Sequence, residues 1–269
     1  MAPTSLYAAS SAAGAQAGAA CGAEVTFPPY FSAVYRDDPA EFSPNAAQAY
    51  EIHVNTAANF TGFSMWASGI VPITTASGTR TASISYGGAA LTAGTDYYWR
   101  IRFWDSNGFM GPWSSSCQLR INRAPTTPDN ASPLGPYVTT LTPLLTGSTY
   151  NDLENNPQAA AQFQLRLAGD TYANGINSGL VGGATTSWLV APALTEGTQY
   201  FWQLRYQDSV GGWSNFSIET SFTVDTLPPT TPGAPFVVSP NPTNGVVTLS
   251  WNPPSTDSGS GIAGHELYR

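Results

Sequence analysis

The chain has 269 residues, of which 42% are hydrophobic and 10% are charged, and its formal net charge is −8. This length suits two or three domains of about 100 residues, each able to bury its own core. The acidic balance, in which all nine basic residues are arginine, argues against nucleic-acid binding, which normally needs a basic face. No apolar run approaches the ~18 residues of a membrane-spanning helix.

The first 23 residues are small and rich in alanine. They lack the basic start and the strong apolar segment of a signal peptide. We therefore predict a flexible lead-in over residues 1–23, with any export signal outside this sequence. The alternative is a lipoprotein cleavage site in the GAAC stretch that ends at Cys21.

The chain contains two cysteines, Cys21 and Cys117. Cys117 lies in the last predicted strand of the first domain, so a disulfide would fasten the N-terminal segment to that domain. Two cysteines are only a weak sign of an oxidising compartment. A pair of buried thiols is the alternative.

Hydrophobic and polar residues alternate along the chain with a period of two. In YYWRIRF, the odd-numbered residues from Tyr97 to Phe103 point one way and the even-numbered residues point the other way. Valine, threonine and aromatic residues dominate such runs, and glycine, proline, asparagine and aspartate separate them. The pattern predicts an all-β chain of short strands, arranged as two-sheet sandwiches.

One segment of the chain occurs twice. YYWRIRFWDSNGFMGPWS, beginning at Tyr97, returns as YFWQLRYQDSVGGWS, beginning at Tyr200. Upstream the spacing between matched strands drifts, as expected when loops change length between homologous domains. We predict a first domain over residues 24–122, a second over 123–227, and an incomplete third over 228–269 with room for about three strands. The Pro/Thr segments APTTP and PPTTP between the copies are typical of semi-rigid linkers.

These segments resemble fibronectin type III modules. The stretch from Leu91 to Tyr97, and its copy from Leu194 to Tyr200, resemble that family's tyrosine corner, in which a tyrosine hydroxyl bonds to the backbone just upstream. Trp251, in LSWNPP, resembles the core tryptophan of the family's second strand.

A narrower resemblance concerns AYEIHV, MWASGIV and the region from Tyr86 to Ser114, which are similar to accessory sandwich domains of bacterial α-L-rhamnosidases. The resemblance covers residues 27–269. It implies tandem fibronectin type III-like or immunoglobulin-like β-sandwiches of bacterial surface or secreted proteins. It implies no activity, because it does not include the catalytic helical barrel of the rhamnosidases, and these modules serve many roles.

The Gly-Pro-Trp-Ser and Gly-Gly-Trp-Ser ends of the repeated segment resemble half of the Trp-Ser repeat of cytokine-receptor modules, in which strand arginines stack on tryptophans. Such a stack contributes about 0.5–2 kcal/mol and needs no ligand. With the two corner tyrosines, the predicted structural staple consists of Tyr97, Arg100, Arg102, Trp113, Tyr200, Arg205 and Trp213.

The functional alternative is a sugar-stacking platform formed by Tyr98, Trp104 and the arginines. Gln203 and Gln207 replace Arg100 and Trp104 in the second copy. Any such platform would therefore be confined to the first domain.

Two acidic loops occupy equivalent positions, RDDPAE from Arg36 to Glu41 and YNDLENN from Tyr150 to Asn156, and the third copy offers Asp257. Carboxylate and amide oxygens suit Ca²⁺. The loops lack the D-x-D-x-D spacing of a strong calcium motif, however, and aspartate and asparagine also form turns. We assign no metal and no cofactor.

The sequence offers no motif for catalysis. The two histidines, His53 and His265, lie on predicted strands without a serine or cysteine in a recognisable nucleophile motif, and phosphate-binding loops and Cys/His clusters are absent from the sequence. We predict that the chain is not an enzyme. Three N-x-S/T sequons, at Asn59, Asn130 and Asn215, are candidate glycosylation sites.

We interpret the chain as part of a non-catalytic, extracellular or cell-surface protein, a structural spacer or adhesion protein built of β-sandwich repeats. The expected partners are neighbouring domains or identical subunits, with polysaccharide as a further ligand. Strands that follow in the native chain, or a strand donated by another molecule, would complete the third copy, and donation would build a surface array or filament. The competing hypothesis is an accessory carbohydrate-binding region of a secreted glycoside hydrolase.

Overall fold

The structure is a computed structural model that describes residues 1–18, 21–38, 45–238 and 247–268. It is almost entirely β, which confirms the fold class predicted from the alternating pattern. No helix within these ranges has the length and apolar character needed to cross a membrane. Two compact units are present, one comprising residues 1–126, 151–159 and 207–213, the other comprising residues 127–150, 160–206 and 214–269.

The first unit is a sandwich of a three-stranded and a six-stranded sheet. Its elements are β1 (Thr4–Ala9), α1 (Gly14–Ala17), β2 (Ala23–Val25), β3 (Tyr30–Val34), β4 (Ala47–Asn55), β5 (Ser64–Ala67), β6 (Val71–Thr75), β7 (Ile84–Ser85), β8 (Asp96–Asp105) and β9 (Cys117–Ile121). The small sheet has the order β1-β3-β7. The larger has the order β2-β9-β8-β4-β5, with β6 also paired to β4. Strand β2 runs parallel to β9, whereas β8 is antiparallel to both β4 and β9.

The pairing of β4 with β8 builds the core of the first unit. In β8, buried residues alternate with partly exposed ones along all ten positions. Across the two strands, Val54 lies opposite Trp99 and Ile52 lies opposite Ile101. Trp99 packs against Phe31 of the small sheet, with 4.8 Å between ring centroids. One buried cluster therefore joins the two sheets.

The strands of the second unit repeat this arrangement. They are β10 (Asn130–Ser132), β11 (Tyr137–Val138), β12 (Leu144–Gly147), β13 (Gln158–Leu167), β14 (Ile176–Asn177), β15 (Val181–Gly182), β16 (Ser187–Leu189), β17 (Gln199–Asp208), β18 (Thr220–Val224), β19 (Pro235–Val237) and β20 (Leu249–Trp251). The sheet orders are β10-β12-β16 and β11-β18-β17-β13-β14, with β15 also paired to β13. In the predicted third copy, the described residues form one antiparallel pair, β19 with β20.

The compact units differ from the predicted domains at two loops, residues 151–159 and 207–213, which cluster with the first unit. Within that unit, the side-chain amide of Asn122 donates to Oδ2 of Asp208 at 2.8 Å, and that of Asn156 donates to Oδ1 of Asn122 at 3.0 Å. Such bonds join positions far apart in sequence, which a pattern of alternating strands does not reveal.

The structure also differs from the flexible lead-in predicted over residues 1–23. Strand β1 forms an edge of the small sheet by pairing with β3. Leu6 and Ala8 are buried in the core, and Ala15 of α1 is fully buried. Alanine gives little hydrophobic signal in the sequence, yet its small side chain lets a strand and a helical turn pack closely against the sheet.

Both copies form a tyrosine corner. The backbone N–H of Thr92 donates to the hydroxyl oxygen of Tyr97 at 2.9 Å, and that of Thr195 donates to Tyr200 at 3.1 Å. Each corner contains a glycine with positive φ, +73° in the first copy and +69° in the second, a conformation that other residues rarely adopt.

Cys21 and Cys117 form a disulfide, one of the two states that the sequence left open. The bond joins the segment that precedes β2 to the first residue of β9, the strand with which β2 pairs. The N-terminal segment is therefore held by covalent and hydrogen bonds together.

We expect Cys21→Ser to lower the free energy of unfolding of the first unit by about 2–4 kcal/mol, because the disulfide restricts the unfolded chain. The bonded residues are 96 positions apart, so the loop that the bond closes is long. Cys21 is exposed, so the substitution leaves no cavity in the core. Guanidinium unfolding followed by tryptophan fluorescence measures the change.

Reduced wild-type protein is the matched control and should lose the same free energy as the variant. Identical unfolding curves for oxidised and reduced wild-type protein would contradict this prediction.

Candidate functional site

The candidate site is the outer face of the larger sheet in the first unit, where β4 and β8 pair. Glu51 and His53 of β4 and Arg100 and Arg102 of β8 lie on this face, and all four are partly buried. Glu51 is opposite Arg102, and His53 is opposite Arg100. Side chains of opposite charge that face each other on neighbouring strands stabilise a sheet. The register of β4 against β8 therefore places Glu51 and Arg102 as an ion pair.

Trp113 reaches the same face from the segment that follows β8. The backbone N–H of Ser114 donates to the carbonyl of Ile101 at 2.9 Å, and the Ser114 hydroxyl accepts from the Ile101 N–H at 3.1 Å. These bonds hold the segment along β8. The guanidinium carbons of Arg100 and Arg102 each lie 4.4 Å from the Trp113 ring centroid.

Further rings extend this stack. The guanidinium carbon of Arg100 lies 4.0 Å from the Phe60 centroid, and that of Arg102 lies 5.1 Å from Trp104. The rings of His53 and Trp113 have centroids 4.5 Å apart. We call this set the arginine–aromatic ladder, and its members are His53, Phe60, Arg100, Arg102, Trp104 and Trp113. Each cation–π contact contributes about 0.5–2 kcal/mol.

Glu51 neutralises charge beside the ladder. Its Oε2 accepts two bonds from Arg102, at 2.6 and 2.8 Å, and its Oε1 lies 2.9 Å from Nε2 of His53. Burial alone would raise the pKa of Glu51, but the hydrogen bonds and charges of Arg102 and His53 outweigh burial and hold this pKa below its ordinary value. Burial and the nearby charge of Arg102 lower the pKa of Arg100.

These contacts fasten the segment after β8 to the sheet. Both arginines stack on rings, and Glu51 is bonded to Arg102 and His53. Tyr98 and Trp104, which the alternative sugar platform would combine, lie at opposite ends of β8, about 20 Å apart along the strand. These contacts favour the predicted structural staple over the platform, and the effect of the staple on stability stays a prediction.

The arginines of the second unit also stack on rings. Arg205 of β17 stacks on Phe216, with 4.6 Å from the guanidinium carbon to the ring centroid. Phe216 comes directly before Ser217, whose N–H donates to the carbonyl of Leu204 at 2.8 Å, as the serine after Trp113 does in the first copy. Phe216 therefore takes the place of Trp113.

A second arginine of this unit is held in the same way. Arg166 of β13 stacks on Phe201 at 4.4 Å and forms an ion pair with Glu219 at 2.7 Å.

The sequence identified the arginines and Trp113 but missed several of their partners. Glu51 and Phe60 lie about 40–50 positions before Arg100 and Arg102 in the sequence. Only the register of β4 against β8 places Glu51 beside Arg102. The sequence signal that could have indicated Glu51 is an acidic residue on the polar side of a predicted strand. Trp213, a predicted member of the staple, forms an isolated antiparallel β-bridge through its backbone with Gln207.

The acidic loops use their carboxylates in turns and ion pairs. Oδ1 of Asp152 accepts the backbone N–H groups of Glu154 and Asn156 at 2.9 and 3.0 Å. The carboxylate of Glu154 lies 3.5 Å from Nε of Arg123, and Oδ1 of Asp257 accepts a backbone N–H at 2.8 Å. Residues 39–44, which include Glu41, lie outside the described residues. In the part of the chain that the structure describes, no group of three or more acidic, histidine or cysteine side chains could hold a metal ion.

The three sequons differ in accessibility. The side-chain amide of Asn130 donates to the carbonyl of Trp202 at 3.0 Å and to the hydroxyl of Thr220 at 2.8 Å. Asn59 and Asn215 are exposed. An attached glycan would therefore have to displace native hydrogen bonds at Asn130 but not at the other two positions.

Comparisons with known proteins agree with this architecture. Residues 39–121 match the family model of the Rha78A-like, N-terminal immunoglobulin domain. The chain is 30% identical over 172 residues to Exoglucanase B and 29% identical over 186 residues to Endoglucanase B, both of Cellulomonas fimi. These matches cover 62% and 66% of this chain but 15% and 17% of those proteins. The chain thus spans about a sixth of the length of the curated relatives that it matches.

Solved structures similar to the chain include two with fibronectin type III modules. The Clostridium thermocellum CbhA fibronectin(III)-like modules are 15% identical, with a TM-score of 0.40 and coverage of 77% of this chain and 90% of that chain. The chicken CNTN1 FN1-FN3 domains are 12% identical, with a TM-score of 0.43 and coverage of 76% and 66%. The α-L-rhamnosidase from Dictyoglumus thermophilum is 15% identical, with a TM-score of 0.34 and coverage of 82% and 29%.

The expected resemblance to accessory sandwich modules of the rhamnosidase kind is confirmed over residues 39–121. The part of the chain that matches the family model is an immunoglobulin-like module rather than a catalytic domain.

We expect Trp113→Ala to lower the free energy of unfolding of the first unit by about 1–3 kcal/mol, because the indole stacks on two guanidinium groups and one imidazole. Phe109→Ala is the matched control. Phe109 is an aromatic residue of the same turn that is 70% exposed, and its loss should cost no more than about 0.5 kcal/mol. Equal stability of the two variants in chemical denaturation would show that the ladder is not a staple.

Proposed function

We propose that this chain is a non-catalytic accessory region of a secreted bacterial enzyme that degrades polysaccharide, and that its β-sandwiches hold neighbouring parts of that enzyme at a distance. The observation that carries the proposal is the similarity to two proteins named as glucanases, each of which is matched over less than a fifth of its length. A match to so small a share of a glucanase, in a chain built of sandwich modules, is what an accessory region would produce.

Features of the chain support a spacer outside the cell. The Cys21–Cys117 disulfide suits an oxidising compartment. The ladder residues are bonded among themselves, which suits a surface whose task is rigidity. The Pro/Thr-rich segments near residues 124–128 and 228–232 suit semi-rigid connections.

We expect removal of residues 2–269 from the full-length polypeptide to lower its activity on insoluble polysaccharide severalfold and to leave its kcat/KM on soluble oligosaccharides within about twofold. A spacer affects access to a solid substrate but not the chemistry of a dissolved one. Sugar release from cellulose, xylan and pectin, against matched soluble oligosaccharides, measures both. An equal loss on soluble and insoluble substrates, or no hydrolase activity in the full-length polypeptide, would refute the accessory function.

A second candidate function is assembly by strand complementation, in which a strand from another copy pairs with β19 or β20. Phe236 and Val237 of β19 are 50% and 54% exposed, and a two-stranded sheet by itself is marginally stable. We expect sedimentation velocity of the 269-residue protein to show association that grows with concentration, and Val237→Asp to abolish it. A single monomeric boundary at every concentration would exclude this assembly.

A further inference from the structure

A cavity of about 230 Å³ lies beside the turn that follows β8 in the first unit. Buried side chains form part of its wall, among them Tyr35 and Asp105, which are 4% and 8% exposed. The lining of the cavity includes Tyr35, Arg36, Asp37, Asp38, Asp105 and Phe109.

The turn beside the cavity has the same length as its counterpart in the second copy. It reads DSNGFMGPWS from Asp105 in the first copy and DSVGGWSNFS from Asp208 in the second. In both, Oδ1 of the leading aspartate accepts backbone N–H groups, including that of Phe109 at 2.8 Å and that of Gly212 at 2.9 Å. The second copy therefore has Gly212 in the place of Phe109, so the turn does not require a phenylalanine there.

Phe109 and Met110 nevertheless point large apolar groups into solvent, with exposures of 70% and 55%. Adjacent exposed apolar side chains at the edge of a cavity are typical of a binding surface. The duplication supplies an internal control, since the equivalent turn at Asp208 closes with a glycine, Gly212, in the place of Phe109.

The carboxylates of the cavity are better suited to hydroxyl groups than to a cation. Asp37 accepts from the Tyr35 hydroxyl at 3.2 Å and from the backbone N–H of Asn45, and Oδ1 of Asp105 accepts the N–H of Asn107 at 2.9 Å as well as that of Phe109. These bonds use oxygens that Ca²⁺, with about six to eight oxygen ligands, would need. The Asp105 carboxylate has about four acceptor positions, of which the bonds from Asn107 and Phe109 use two, so a hydroxyl donor can still be added to it.

We propose that this cavity binds one neutral sugar ring of a polysaccharide, with Phe109 against the apolar face of the ring and the carboxylate of Asp105 accepting a hydrogen bond from one of its hydroxyls. The inference rests on the proposed accessory function and adds a polysaccharide-binding site to it. The volume is below the ~300–1,000 Å³ of pockets that enclose drug-sized ligands, so it suits a single ring. Arg36 also lines the cavity and offsets part of the negative charge, but the three aspartates outnumber it, so the lining disfavours uronic acids.

The experiment is saturation-transfer NMR followed by titration calorimetry on the 269-residue protein, with D-glucose, cellobiose, L-rhamnose and D-galacturonate as probes. We expect at least one neutral probe to bind, galacturonate not to bind, and Phe109→Ala to weaken binding about tenfold. The matched control is Ile218→Ala, which removes an apolar side chain that is 88% exposed in the second unit and should leave affinity unchanged. Equal melting temperatures of the two variants show that both are folded.

The sugar site is overturned if no neutral probe receives saturation, if Phe109→Ala binds as well as wild type, or if galacturonate binds best. It is also overturned if Ca²⁺ raises the melting temperature of wild type and Asp105→Asn abolishes that rise. A protein that binds no probe, yet whose removal still lowers hydrolysis of insoluble polysaccharide, retains the accessory function without this site. Binding of a sugar without any effect of the deletion supports the site and refutes the accessory function.

Discussion

The antiparallel pairing of β4 with β8 is the interaction on which the first unit depends, because one register positions two different layers. On the inner side, it sets Val54 opposite Trp99 in the core. On the outer side, it sets Glu51 opposite Arg102, beside the ring of Trp113. A shift by one residue would turn the arginines inward and the core aromatics outward, so the core and the ladder stabilise the same alignment.

The duplication separates what the fold requires from what one copy adds. Both copies have the tyrosine corner, the turn led by an aspartate and a serine hydroxyl that bonds the backbone of the central strand, at Ser114 and Ser217. These features bond to the backbone and so fit any similar chain path. At the position that stacks on the equivalent arginine, the first copy has Trp113 and the second has Phe216, because several aromatic residues can stack on a guanidinium. Only the first copy carries Phe109, whose place in the second turn is taken by Gly212.

The N-terminal segment shows how weakly hydrophobic residues can be structural. Strand β1 buries Leu6 and Ala8, and the disulfide ties the start of β2 to β9. Covalent closure and strand pairing together order a segment whose composition, by itself, is typical of a flexible linker. The first sandwich therefore starts near the beginning of the chain and not at residue 24.

The sequence by itself determined the all-β class, the repetition and the alternation that places Trp99 inside and Arg100 outside, because these follow from a period of two and from local turn chemistry. It also predicted that Arg100 and Arg102 stack on Trp113, as the contacts show, whereas their role as a staple stays a prediction. Only the tertiary structure decided that Glu51 and Phe60 complete that staple and that Cys21 meets Cys117, because these partners are distant in sequence and come together only through strand register. The tertiary structure alone also reveals the cavity beside Phe109, because its walls come from segments that are adjacent only in the folded sandwich.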